Sequence, residues 1–307
     1  MQNRSVLPVA LALMTLYVVW GSTYLAIRFV VEADLPLLWT ASVRFAIAGA
    51  LMVGGAVARG TSRPTRAELG NAFVAGVLMF VGSNGLVMAG QTRIASGLAA
   101  VLVALTPVWI ALIDAARGER PGPMRALGVV LGLVGVGVLL DPRGSTVDPL
   151  GAGAVIGASL CWSTGTMWSR LRPMPSDPVL SAGLQMAMAS VVLAPAGLAL
   201  GEHWPDHVPT SGLLGFLWLL LGGSILGYGS YTWLLKVTKP AIATTYAYVN
   251  PLVAVILGFF LAGEQLSPRS VAAGAAILAG VAAITLDRPR RTPDAVSPAV
   301  EKVPLDP

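Results

Sequence analysis

Residues 92–107 read TRIASGLAAVLVALTP, and residues 238–251 read TKPAIATTYAYVNP. Each run meets a proline, Pro107 or Pro251, and continues through an apolar stretch to a Gly-Glu pair, Gly118-Glu119 in one case and Gly263-Glu264 in the other. The echo extends outward in both directions. Trp20 is matched by Trp162, Arg28 by Arg170 and Pro36 by Pro178, all at offsets of about 142 to 145 positions, so one unit occurs twice along nearly the whole chain. The two copies are residues 1–145 and 146–287, followed by a tail, 288–307, rich in proline and charge and expected to be disordered.

The 307 residues are 55% hydrophobic and only 11% charged, where a soluble domain carries roughly 25% charge. Too few polar side chains exist to coat a water-exposed surface, so the lipid bilayer is the expected solvent. A lone cysteine, Cys161, excludes an internal disulfide and argues against a thiolate metal cluster. The first apolar segment follows Arg4 as a signal peptide would. It has no small-residue cleavage site, however, and runs on through Trp20, Tyr24 and Arg28, so it reads as a retained span.

A helix needs about 20 apolar residues to cross roughly 30 Å of hydrocarbon. Breaking the apolar runs at charge, proline and glycine clusters yields ten spans. They cover about 8–29, 36–58, 69–89, 95–115 and 125–140 in the first copy, and about 150–169, 178–200, 213–235, 241–262 and 270–286 in the second. The expected fold is therefore an all-α integral membrane protein. Its alternate loops differ sharply in basic content. One set holds Arg4, Arg59, Arg63, Arg66, Arg117, Arg120, Arg125, Arg170, Arg172, Lys236, Lys239, Arg288, Arg290, Arg291 and Lys302, whereas the other holds only Arg93, Arg143 and Arg269. Basic residues stay on the cytoplasmic side, which places both termini there, in a cell (inner) membrane, and inverts the second five-helix repeat relative to the first. The net charge of +5 follows from this topology, and no nucleic-acid partner is needed to explain it.

A proline inside a span frees a backbone carbonyl that protein or a wet cavity must satisfy. Pro107 and Pro251 are such positions, preceded by Thr106 and Asn250, and paired discontinuities point to a carrier's midplane site. Polar and aromatic density around Pro251, in Thr245, Tyr246, Tyr248 and Asn250, suits an organic solute better than a bare ion; helix-to-helix glue is the alternative. Trp20, Ser22, Thr23 and Tyr24 in the first span echo Trp162, Thr164 and Thr166 in the sixth; the tryptophans are inset from the span ends and read as cavity lining, with interfacial anchoring the alternative. Asn84 must point inward, at solute or at a neighbouring helix, and Tyr228 is its counterpart. Arg28 has Glu32 one turn away, and Asp114 has Arg117, so each is expected to pair locally. Arg44 has no acid in its own helix and either caps carbonyls of another helix, the default role, or meets a solute carboxylate. Glu119 and Glu264 recur after equivalent helices and suggest capping or gate contacts. Gly128 and Gly132, Gly153 and Gly157, and Gly223 and Gly227 are spaced for close helix approach.

Taken together, WGSTYLAIR from Trp20, the Arg44-Phe45 pair, SGLAAVLVALTP from Ser96, TYAYVNPLVAVILG from Thr245 and the two Gly-Glu pairs resemble the EamA branch of the drug/metabolite transporter superfamily, particularly its bacterial drug/metabolite exporters. The resemblance implies ten helices as two inverted five-helix repeats around a central cavity lined by helices one, three, four, six, eight and nine. It also implies export of a small organic solute by a secondary transporter, with proton antiport suggested by the family alone. Homodimerisation is left open. Against an enzyme on lipid-linked substrate stand the absence of histidine from the spans and of any GxSxG string. His203 and His207 have metal-ligand spacing, but Pro205 lies between them, and no metal or cofactor is expected. A passive channel would want a ring of like charges or a carbonyl filter, and neither is visible.

Overall fold

A computed structural model describes residues 6–119, 121–140, 147–238 and 245–286. Loop residues Arg120 and Arg143, and the expected tail, lie outside them. Every regular element among the described residues is helical: α1 (Val6–Glu32), α2 (Leu37–Ala58), α3 (Arg66–Gly76), a π-helical segment (Val77–Ser83), α4 (Asn84–Gln91), α5 (Ser96–Val103), α6 (Thr106–Ala116), α7 (Pro123–Leu140), α8 (Pro149–Leu171), α9 (Pro178–Ala199), α10 (Thr210–Leu217), a second π segment (Trp218–Gly227), α11 (Tyr228–Val237), α12 (Tyr246–Ala262) and α13 (Pro268–Leu286).

Eight continuous helical stretches are long and apolar enough to span a bilayer, and α12 is a shorter apolar helix. The sixth expected span, α8, has the length at 23 residues but is rich in hydroxyls. Those hydroxyls turn back onto their own helix: Ser159 onto the Ile156 carbonyl, Ser163 onto Ser159, Thr164 onto Leu160, Thr166 onto Trp162 and Ser169 onto Gly165. Satisfied in this way, they lose most of the cost of leaving water.

Helix ends are set by short-range chemistry. Asp148 and Asp177 each precede a proline at the first helical position and accept from two backbone N–H groups, those of Leu150 and Gly151 and those of Val179 and Leu180. Thr65 and Glu68 form a reciprocal capping box at α3. The two Gly-Glu pairs have a backbone reason: Gly118 and Gly263 take φ of +93° and +62°, the left-handed cap that ends α6 and α12.

Packing maps onto itself when the halves are exchanged. Helix α2 packs on α9 and α7 on α13, each against its own counterpart. Helix α1 packs on α12 as α8 packs on α5 and α6, and α1 lies along α10, the second π segment and α11 as α8 lies along α3, the first π segment and α4. Of the glycine pairs, Gly128 and Gly132 are buried against α13 and Val108, as expected for close approach, whereas a Cβ on Gly153 would meet open space. Gly157 does approach Leu86, so only one member of the 153/157 pair packs.

Candidate functional site

The two halves meet around a cavity of about 150 Å³. Its walls come from α1, α2, the first π segment, α4, α5, α6, α8, the second π segment, α11 and α12. Trp20, Thr23, Arg44, Asn84, Thr106, Trp162, Tyr228, Tyr246, Asn250 and Pro251 all line it, although most of them are far apart in sequence.

Aromatic rings form a continuous wall. Trp20 stands edge-on to Tyr246 at 4.9 Å and to Tyr228 at 5.3 Å between ring centroids; Phe80 lies 5.5 Å from Tyr228 and 5.1 Å from Phe45. The Trp20 indole is aimed by its N–H, which donates to the Gly223 carbonyl at 3.0 Å, and it fits because Gly227 offers no Cβ where the ring lies. Gly223 and Gly227 therefore seat a tryptophan as well as a helix.

The polar part is sparse. Arg44, 5% exposed, donates from Nη2 to Asn84 Oδ1 at 2.8 Å, and its guanidinium lies 4.2 Å from the centroid of the Phe45 ring. Asn84 in turn donates to the Met79 carbonyl at 3.0 Å, a carbonyl inside the π segment. The default reading of Arg44, as a cap on another helix's carbonyls, is corrected: its bonded partner is a side chain in the cavity wall. Arg44 Nε, Tyr228 Oη and Asn250 Oδ1 are buried without a hydrogen-bond partner.

Several expected lining residues lie elsewhere, among them Tyr248, which packs against the cluster around Leu98 and Ile277. Thr166 is taken up by its own helix, and Thr245 is hydrogen-bonded to the Tyr17 hydroxyl just beyond Tyr246. That bond sits beside buried Leu16 and Leu234, in a layer that joins the amino-terminal half of α1 to α11 and α12. Pro107 occupies the first turn of α6, after a break at Ala104 and Leu105, so it starts a helix where a mid-helix kink is expected; Pro251 does lie within a continuous α12.

The acids diverge as well. Glu264 is buried and accepts from the backbone N–H groups of Ser96 at 2.8 Å and Gly97 at 3.0 Å, and it pairs with Arg28 at 2.5 Å. Burial by itself raises its carboxyl, yet the Gly97 and Ser96 amides and the Arg28 guanidinium together hold it below the usual glutamate value. Arg28 also keeps its expected partner Glu32 at 2.6 Å, so it bridges two acids. Glu119, by contrast, is exposed. Asp114 is buried and pairs with Arg125 at 3.4 Å, where Arg117 is expected. His203 and His207 are exposed, and the described residues contain no cluster suited to a metal.

Several lining residues go unnamed by sequence reasoning, among them Phe80, Ser83 and Ser224. A signal existed. Phe80 and Ser224 each lie four residues before the paired Asn84 and Tyr228, hence on the same helix face and at the repeat offset.

A helical membrane bundle whose duplicated halves enclose an aromatic cavity is the architecture of a solute carrier. The chain matches the EamA-like transporter family over residues 7–140 and again over 149–286, and it belongs to that family. It is a multi-pass membrane protein of the drug/metabolite transporter superfamily. It is 35% identical to the uncharacterized inner membrane transporter YedA of Escherichia coli (strain K12), over 94% of each chain. It is 27% identical to the protein PecM of Dickeya dadantii (strain 3937), over 81% of this chain and 82% of the other. A solved crystal structure of a protein 22% identical superposes with a TM-score of 0.60, covering 91% of this chain and 96% of that one, and shares the fold.

Proposed function

We propose that the protein is a secondary transporter of the inner membrane that exports small organic solutes by alternating access, with no enzymatic step. Ten helices would form two inverted repeats, 1–145 and 146–287, and both termini would face the cytoplasm. The observation that carries this reading is the cavity itself: its wall takes equivalent residues from both halves, Trp20 with Trp162 and Asn84 with Tyr228.

An alternating carrier needs a barrier on each side of its site. Two candidates flank the cavity along α1. Toward the amino-terminal end, Tyr17 bonds Thr245 beside Leu16 and Leu234. Toward the carboxy-terminal end, Arg28 joins Glu264, which also holds the start of α5. By the distribution of basic loops the first is cytoplasmic and the second external. Rocking of the repeats would break one while the other holds, which supports a gating role for Glu264 and assigns none to Glu119.

The test uses a Cys161→Ser background carrying Asn250→Cys or Trp20→Cys in oriented vesicles. Labelling by an impermeant maleimide is expected from either side, with a balance that shifts when solute is added. Labelling that stays identical in all conditions, together with no uptake of any solute from a panel of amino acids, organic acids and dyes in proteoliposomes, overturns the reading.

A further inference from the structure

The charge inside the cavity is unbalanced. Arg44 is the one charged side chain among the residues lining it. Ion pairs among the described residues engage Arg28, Arg59, Arg93 and Arg125, and Arg44 belongs to none of them. An amide oxygen from Asn84 and the face of Phe45 soften a full positive charge but do not neutralise it. A buried cation left without a counter-ion is expensive to maintain, and ionisable groups kept inside membrane spans are functional suspects for that reason.

Among the described residues no fixed acid lines the cavity, so the counter-charge is one that a ligand brings. Two further atoms point the same way. Tyr228 and Asn250, 9% and 6% exposed, line the same space, and Tyr228 Oη, Asn250 Oδ1 and Arg44 Nε are buried in its wall without a hydrogen-bond partner. A hydroxyl can donate and an amide oxygen only accepts, so the cavity offers donors to an anion and one acceptor for a donor on the same molecule. The remaining wall sets the aromatic rings among aliphatic side chains such as Ile27, Val87, Val103 and Leu219 and the hydroxyls of Thr23, Ser83, Thr106 and Ser224. One guanidinium balances one negative charge, so a phosphate dianion would leave a net charge in an apolar space, and a cation would be repelled.

We propose that the transported solute is a monocarboxylate with a planar ring: its carboxylate is held by the Arg44 guanidinium with the Tyr228 hydroxyl, and its ring lies among Phe45, Phe80, Trp20 and Trp162. This solute class rests on the transporter reading above. Arg44 then sets selectivity, admitting ring-bearing acids and excluding cationic compounds.

Three isosteric probes separate charge from shape: 3-phenylpropionate, 3-phenylpropanamide and 3-phenylpropylammonium. Binding to the purified full chain in nanodiscs is read by quenching of tryptophan fluorescence, and movement by counterflow in proteoliposomes. The carboxylate is expected to bind at least about tenfold more tightly than the amide, the scale of a charge-assisted hydrogen bond, with the ammonium weakest. Arg44→Gln is expected to bring the carboxylate down to the amide's affinity while moving the amide less than about twofold, and Arg44→Lys to recover part of the preference. Equal affinity for the three probes, no binding of the carboxylate, or a preference that survives Arg44→Gln overturns the inference. If Arg44→Gln does not fold, the wild-type ranking alone decides. Counterflow of the amide without carboxylate preference leaves transport standing and removes the solute class; carboxylate-selective binding with no movement across the bilayer removes transport and leaves the binding preference.

Discussion

Asn84 and Tyr228 hold the same place in the two halves. Each is the first residue after a π-helical segment, each lines the cavity, and 144 positions separate them. A π turn inserts an extra residue into the helical ladder, redirects the side chains that follow and leaves carbonyls available to side chains. Asn84 uses this by donating to the Met79 carbonyl while its oxygen receives Arg44. The discontinuities that shape the site therefore lie in the third and eighth spans as much as at the prolines.

Replacing Asn84 by Leu removes the one side chain hydrogen-bonded to Arg44 and the side-chain donor to the Met79 carbonyl. The expected cost is about 2 kcal/mol of stability, the scale of a buried polar group deprived of its partner, with transport reduced at least tenfold. Thermal unfolding in detergent beside proteoliposome uptake measures both. An unchanged Tm with unchanged uptake would show that the amide supports neither the guanidinium nor the π segment.

Gly227 is occupied by what it leaves room for. A Cβ there would overlap the Trp20 indole, and Trp20 touches Tyr228, Tyr231 and Tyr246, so the ring cannot retreat without moving its neighbours. Gly227→Ala is expected to cost about 1–3 kcal/mol as overpacking and to impair transport, whereas Gly153→Ala, on an open face, should be neutral or slightly stabilising through helix propensity. Equal behaviour of the two variants would contradict the assigned seat for Trp20.

Much of this was legible in the sequence because the bilayer imposes long apolar runs and the duplication repeats them. Eight of the ten spans, the tryptophan pair, Asn84 with Tyr228, and Asn250 follow from hydropathy, offset and polar residues where polarity is costly. What stayed hidden depends on direction. Thr166 and Thr245 look as suitable as Thr106, but a hydroxyl can satisfy its own helix or a neighbour, and only the fold reveals which. Glu119 and Glu264 share a motif whose glycine serves backbone geometry in both copies; the carboxylates then part ways because Arg28, Ser96 and Gly97 converge on only one of them. The π segments leave no composition signal, since they arise where packing bends a span.

The Glu264 latch carries a definite pH signature. Its carboxyl is held below the ordinary value, so the stability it contributes is fully present above the usual glutamate range and is lost as pH falls through the lower folded value. The difference in Tm between the wild type and Glu264→Gln is expected to be constant between about pH 5.5 and 8 and to shrink only toward pH 4 and below. A gap that collapses between about pH 6 and 7 would mean that Glu264 titrates near neutrality. In the latched state Glu264 therefore takes up no proton near neutral pH.

The two proposed barriers make opposite predictions. Tyr17→Phe removes the hydroxyl bonded to Thr245 but keeps the ring, weakening only the layer proposed to be cytoplasmic. Arg28→Leu removes the partner of Glu264 and weakens the layer proposed to be external; part of its cost in stability comes from stranding a buried carboxylate. If barriers on both sides compete, loss of a hydrogen bond worth about 1 kcal/mol shifts the balance of conformers roughly fivefold toward opening on the weakened side. In the Cys161→Ser, Asn250→Cys background, Tyr17→Phe should raise labelling from the cytoplasmic face and lower it from outside, and Arg28→Leu should do the reverse. A rise on the same side in both variants would mean that the layers are two parts of one gate, and a carrier that alternates would need its second barrier somewhere else.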